Sequence, residues 1–127
     1  MNTPLTKGSH HIGLTVSNLE ESAGFFTTLL GWKEVRRDEE YPAIFVSDGS
    51  IMLTLWATKE EPVNSFNKNS NVGLHHIAFH VDNENDLNAI HKKLVDNGII
   101  QNINQGSHCL WYLPDHEGCP VHTKNSF

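Results

Sequence analysis

Nine residues near the start of the chain, His10-His11-Ile12-Gly13-Leu14-Thr15-Val16-Ser17-Asn18, return 65 positions later as His75-His76-Ile77-Ala78-Phe79-His80-Val81-Asp82-Asn83, five of the nine unchanged. A segment that recurs in this way marks a chain built from two like units. Both copies alternate with the period of a strand. Ile12, Leu14 and Val16, or Ile77, Phe79 and Val81, lie on one face, and the His11 or His76 register lies on the other. Each strand is followed by a polar cap and an amphipathic run. Residues 19–30 follow Ser17 and Asn18, carry Glu20 and Glu21 in the first turn, and stop before Gly31. Residues 84–97 follow Asp82 and stop before Gly98. Both runs read as helices.

Strand-like segments come after each helix. In the first half they are 33–37, 43–47 and 51–56, the last two joined by the turn Asp48-Gly49. In the second they are 99–103, 108–113 and 120–124, with a turn over 115–118. Each half is therefore βαβββ. A unit of this size, with one sheet face covered by its helix and the other bare, is hard to stabilise alone. The expected fold is α+β: two tandem βαβββ modules, at about 8–60 and 73–124, forming a curved eight-stranded mixed sheet around an open cup. One domain spans 1–127, and residues 61–72, rich in Asn, Ser and Lys, are the linker.

Composition narrows the function classes. Nine Lys or Arg stand against fifteen Asp or Glu, a net charge of −6, which disfavours a nucleic-acid binder. The longest apolar stretches fall far short of the roughly 20 residues of a membrane-spanning helix. The N-terminal residues lack the apolar core of a secretory signal, so the expected location is the cytoplasm. Cys109 and Cys119 cannot frame a disulfide-dependent fold, and their spacing fits no zinc finger.

The apolar residues of each strand must face the helix-covered side. His11, Gly13 and Thr15 then point into the cup, as do His76, Ala78 and His80. On the strand 51–56, Met52, Thr54 and Trp56 take the cup side; on the last strand, His122 and Lys124 do. A single histidine on a half-buried sheet face is more often a hydrogen-bonding residue than a ligand, but three at corresponding positions, His11, His76 and His122, read as a metal site. Three imidazoles with open positions suit catalytic zinc, and imidazole also binds iron and nickel. His80 lies roughly 13 Å along the strand from His76, too far to share an ion. It reads as a cup-lining residue, with Thr54, Trp56, Met52 and Thr15. His10 and His75 have the opposite phase and read as strand-start residues. His91 falls on a helix, and His108 and His116 fall at strand and turn boundaries without an assignable role.

With these residues in place, the chain resembles the vicinal oxygen chelate superfamily of glyoxalases, extradiol dioxygenases, fosfomycin resistance proteins and bleomycin resistance proteins. The likeness covers residues 8–124. It rests on His11-Ile12-Gly13-Leu14-Thr15-Val16-Ser17-Asn18-Leu19, Phe25-Phe26, Leu30-Gly31-Trp32, Leu53-Thr54-Leu55, His76-Ile77-Ala78-Phe79-His80-Val81 and Leu113-Pro114-Asp115-His116-Glu117-Gly118. These motifs specify a fold rather than an activity. The resemblance implies ligand positions at His11, Thr54, His76 and His122, and a homodimer. Glyoxalase I relatives carry carboxylates at the Thr54 and His122 positions, which argues against standard glyoxalase I activity here.

Two functions follow as expectations. One is a metal-dependent enzyme, a lyase, isomerase or dioxygenase, whose divalent ion (zinc, iron, nickel or manganese) chelates two oxygens of a small substrate. The other is a metal-free protein that binds or sequesters a small molecule, similar to bleomycin resistance proteins. Trp56 and Met52, with Tyr41, Phe66, Trp111 and Tyr112 as neighbours, suit a partly apolar or aromatic ligand. No nucleic-acid or membrane partner is expected.

Overall fold

The computed structural model describes residues 2–99, 102–104 and 109–112. The expected strand 120–124, with His122 and Lys124, and also His108, His116 and Cys119, lie outside the described residues. The fold is mixed α+β. In order it runs β1 (Ile12–Val16), α1 (Leu19–Gly24), a π-helical turn (Phe25–Leu29), β2 (Lys33–Asp38), β3 (Ala43–Ser47), β4 (Met52–Ala57), β5 (Ile77–His80), α2 (Glu84–Asp96), β6 (Asn102–Asn104) and β7 (Cys109–Tyr112). No described helix is long and apolar enough to cross a membrane.

Two sheets result. The first has the order β1-β4-β3-β2, with β1 parallel to β4 and the other pairs antiparallel. Its central strands β3 and β4 bury Ala43, Ile44, Val46, Leu53 and Leu55, while the edge strand β2 shows charged Lys33, Glu34, Arg36 and Arg37 to solvent. A charged edge of this kind resists pairing with another chain. The second sheet has the order β5-β7-β6, antiparallel throughout. It does not repeat the order of the first: β7 takes the place beside β5 that β4 takes beside β1. Among the described residues the strands number four and three, and the expected eighth, 120–124, falls outside them. The pairing satisfies the backbone of β5, and it puts buried Leu110 opposite Phe79 and buried Tyr112 opposite Ile77.

The two helices begin alike. Oδ1 of Asn18 accepts from the Glu21 N–H at 3.0 Å, and Oδ1 of Asn83 accepts from the Asp86 N–H at 2.8 Å, each satisfying one backbone donor that helix geometry leaves unpaired. Gly31 and Gly98, at φ +77° and +72°, follow the helical segments in the left-handed conformation that glycine adopts at least cost.

The helix expected over 19–30 is not continuous. After Gly24 the chain widens into the π-helical turn, where the Leu30 N–H donates to the carbonyl of Phe25. The wider turn allows two consecutive residues, Phe25 and Phe26, to be buried together. Phe25 packs on Tyr112 with ring centroids 5.4 Å apart; Phe26 packs on Trp32 and Tyr112, each at 4.9 Å, and on Phe79 at 6.0 Å. The core is thus one cluster joining both sequence halves, from Leu14 and Val16 through Phe26 to Leu87, Leu94 and Tyr112. Burying each large apolar side chain in it contributes on the order of 1.5–3 kcal/mol.

Candidate functional site

The repeated histidines sit just ahead of the two equivalent strands. His10 and His11 precede β1, and His75 and His76 precede β5. In each pair the rings meet edge to face with centroids 5.1 Å apart, and Nδ1 faces Nδ1 at 2.9 Å. The two pairs therefore share one geometry although 65 residues separate them. His76 is half-buried and the other three are exposed. Burial, and then the charge of His75, hold the His76 imidazole below the ordinary histidine value, so it keeps a neutral ring to lower pH.

Past His11 the exposed register continues through Gly13 and Thr15, while Leu14 and Val16 turn into the core. Gly13 pairs with Thr54, and Thr15 with Trp56, across the parallel β1 and β4. Thr54 is buried, and its Oγ1 accepts from the Trp56 indole Nε1 at 2.9 Å. A Cβ at position 13 would lie 3.2 Å from that oxygen and 3.6 Å from the indole nitrogen. Glycine here lets Thr54 and Trp56 close over β1. Thr54 thus lies beneath the surface rather than on the wall, with its oxygen already engaged.

Trp56 and Thr15 do line an open groove of about 590 Å³, together with Tyr41, Lys59 and Asn64. Lys59 Nζ stands 4.8 Å from the centre of the Tyr41 ring, a cation–π arrangement, and the Phe45 ring backs Trp56 at 5.9 Å. A neighbouring groove of about 350 Å³ is lined by Gly13 and Thr15 on one side and Phe66, Asn71 and Leu74 on the other. Residues of the linker 61–72, among them Asn64, Phe66 and Asn71, therefore supply a wall of the grooves above β1. They hold their shape through Asn67, whose carbonyl accepts from the Asn71 N–H at 2.8 Å and whose own N–H donates to Asn71 Oδ1 at 2.7 Å. Phe66 lies against Gly73, where a Cβ would come within 3.0 Å of the ring. Phe66 is one of the aromatic residues the sequence sets beside Trp56 and Met52; its contact with Gly73 is the part that only the structure shows.

The remaining expected residues lie elsewhere. Met52 is half-buried at the start of β4, paired with Ser47. His80 ends β5 and lines a separate cavity of about 410 Å³ with Trp32, Phe79, Asp86 and Lys93, between α2 and the end of the π-helical turn. His122 is outside the described residues. Among the described residues, no three His, Cys, Asp or Glu side chains come together as a metal ion would require. What these residues do provide is imidazole nitrogen, a donor that fits zinc, iron and nickel.

Residues 8–109 match the family model of the Glyoxalase/Bleomycin resistance protein/Dioxygenase superfamily, and the chain belongs to that family. Among its relatives is the trivalent organoarsenical cleaving enzyme of Bacillus sp. (strain MD1), 27% identical over 106 residues. That match takes in 83% of this chain and 61% of the enzyme, so the chain spans about three fifths of its relative's length. In fold the chain is similar to a glyoxylase/bleomycin resistance protein/dioxygenase domain from Frankia sp. EAN1pec, with a TM-score of 0.66 at 20% identity, covering 90% of this chain and 96% of that one. It is also similar to a variant of FosX, the fosfomycin resistance protein of Listeria monocytogenes complexed with Mn(II) and 1S,2S-dihydroxypropylphosphonic acid. There the TM-score is 0.57 at 15% identity, covering 76% and 72% of the two chains.

Proposed function

We propose that the chain is a metal-dependent enzyme acting on a small molecule, with His11, His76 and His122 holding a divalent ion. The observation that carries this reading is the equivalence of His11 and His76, each at the mouth of a repeated strand and each paired with a preceding histidine at the same 2.9 Å. The organoarsenical-cleaving relative and the manganese-bearing FosX support the class. When bound, a divalent ion would supply Lewis acidity toward two neighbouring oxygens of the substrate. The chain's own residues do the rest. His11 and His76 offer imidazole nitrogens, and Trp56 and Tyr41 form an aromatic wall for the substrate body. Lys59 places a positive charge beside that wall, and residues 61–72 shield the groove from water.

The full eight-stranded cup, completed by residues 120–124, belongs to this proposal, as does a homodimer in which His11 of one copy meets His76 and His122 of another. Glyoxalase I chemistry is not proposed. Thr54 and His122 stand where its relatives use carboxylates, and the Thr54 oxygen is taken by Trp56.

Elemental analysis of untagged protein, with a His11→Ala and His122→Ala double variant as control, tests the reading. About one zinc, iron, nickel or manganese per chain, lost in the variant, is the expected result. A second reading, metal-free sequestration of an aromatic cation, draws on the groove walled by Trp56 and Tyr41 and on the net charge of −6. Protein that stays free of metal after incubation with each ion, yet binds such a ligand tightly, would establish that alternative.

A further inference from the structure

Helix α2 ends on the chain's only Asn-Gly step, Asn97-Gly98. The helix end itself asks for this pair. Gly98 stands at φ +72°, a conformation that a Cβ makes costly. Asn97 closes the last turn with its side chain, Nδ2 donating to the Lys93 carbonyl at 2.7 Å. The backbone completes the cap: the Gly98 N–H donates to the Val95 carbonyl at 3.0 Å, and the Ile99 N–H to the Leu94 carbonyl at 2.8 Å. Carbonyls that helix geometry leaves over are satisfied in this way.

The residues that suit the cap are also chemically labile. Asparagine is heat-sensitive because the next backbone nitrogen can attack its carboxamide, and a following glycine has no side chain to hinder that approach. Asn97 and Gly98 are both exposed, so water reaches them. In the closed cap, however, both reacting groups are held, the leaving Nδ2 by Lys93 and the attacking Gly98 nitrogen by Val95. Ring closure therefore requires the last turn of α2 to open.

We propose that Asn97 is a site of spontaneous modification gated by the opening of that turn, and that the product keeps the turn open. In the open state the Gly98 backbone nitrogen gives up its proton and bonds to Cγ of Asn97. The Cγ–Nδ2 bond breaks, and Nδ2 leaves with that proton as ammonia, giving a five-membered imide. Water then opens the imide at one of two bonds. Cleavage between nitrogen and Cγ gives aspartate; cleavage between nitrogen and the main-chain carbonyl of residue 97 gives isoaspartate, in which the chain runs through Cβ. Either product has lost the donor to Lys93. Each also carries a new negative charge at a helix C-terminus, where the dipole disfavours it and where Asp96, bridged by Lys92 at 2.8 Å, already stands. Isoaspartate lengthens the main chain by one carbon as well, which moves the Gly98 and Ile99 N–H groups off the carbonyls they now meet. Ile99 packs against the core that holds Leu94, so the change is felt inside the molecule at that end of α2. The groove walled by Trp56 and Tyr41 is built from other residues, and the proposal stands apart from the metal reading.

The test is incubation of the full chain at neutral pH, in native buffer and in urea, with Asn97 followed by peptide mass spectrometry and isoaspartate by enzymatic methylation. Hydrogen exchange at the Gly98 and Ile99 amides in the same native buffer gives the fraction of time the turn is open. The native rate divided by the rate in urea should match that fraction, since only the opened form reacts. Asn97→Gln, whose longer side chain would have to close a six-membered ring, should stay unmodified in both conditions. Purified protein carrying the isoaspartate should exchange the Gly98 and Ile99 amides roughly 5- to 10-fold faster than the unmodified chain. Equal rates in native buffer and in urea would overturn the gating, as would a native chain that stays unmodified while both amides exchange. Reaction at another asparagine ahead of Asn97 would overturn the assignment. An isoaspartate form with unchanged exchange would overturn the claim that the product holds the turn open.

Discussion

The indole of Trp56 donates to the hydroxyl of Thr54 at 2.9 Å across the space left by Gly13. The two side chains sit two residues apart on β4, so the hydrogen bond fixes the Trp56 ring along its own strand and leaves one face of the indole to the groove. Thr54→Val keeps the shape and removes the acceptor. We expect a loss of about 0.5–1.5 kcal/mol in urea unfolding, with a change in the environment of Trp56 seen in its indole N–H resonance. An unchanged resonance would show that the hydrogen bond does not hold the ring.

Phe26 is fully buried and touches aromatic rings from both halves of the sequence. Phe26→Ala should cost about 3–5 kcal/mol. Because Phe79 and Tyr112 belong to the second sheet, hydrogen exchange should accelerate in β5 and β7 as well as in β1 and β4. Acceleration confined to the first sheet would contradict a shared core.

Asn18 and Asn83 cap their helices by the same contact. Asn18→Ala and Asn83→Ala should each lower stability by about 0.5–2 kcal/mol, while aspartate at either position should preserve most of it. Thermal unfolding of the four variants makes the comparison.

Arg37 bridges Glu34 at 2.8 Å and Glu20 at 2.6 Å, tying β2 to the start of α1. Its hydrogen bond, with its charge adding, holds the Glu34 carboxyl below the ordinary carboxylate value. The unfolded chain then takes up this proton at higher pH than the folded one. The contribution is complete above the ordinary carboxylate pKa and is lost as pH falls through the lowered one. Arg37→Met should flatten that part of the acid unfolding curve, and salt should shrink the difference, since these groups are solvent-exposed. Curves of equal slope for the two proteins would remove the effect.

The alternation of Ile12, Leu14 and Val16 was enough to orient β1, and the asparagines and glycines around 18–31 and 83–98 were enough to bound the helices, because caps and strand faces are local properties. The π-helical turn was not legible: nothing in Phe25-Phe26-Thr27-Thr28-Leu29 distinguishes it from helix until Tyr112 and Phe79 are present to receive the two rings. Nor was the pairing of β5 with β7, since periodicity assigns faces and not neighbours. The site divides the same way. Thr15 and Trp56 could be placed on the groove from strand phase alone. His80 could not, because the cavity it lines depends on where α2 and the π-helical turn come to rest. Phe66 could be named as a neighbour of the site from its chemistry, but its contact with Gly73 could not, because it is a fold-back within a polar segment.

The aromatic contacts of Phe26 also set an order of events during synthesis. Phe25 and Trp32 leave the ribosome close to Phe26, but two further rings it packs on follow 53 and 86 residues later, at Phe79 and Tyr112. Until then the first repeat carries an unfinished core with an aromatic side chain exposed. A chain truncated after the first repeat should be a poor folder and a good chaperone substrate, however complete its own four strands look. The chain carries two copies of one plan, and the rings shared between them make each copy dependent on the other.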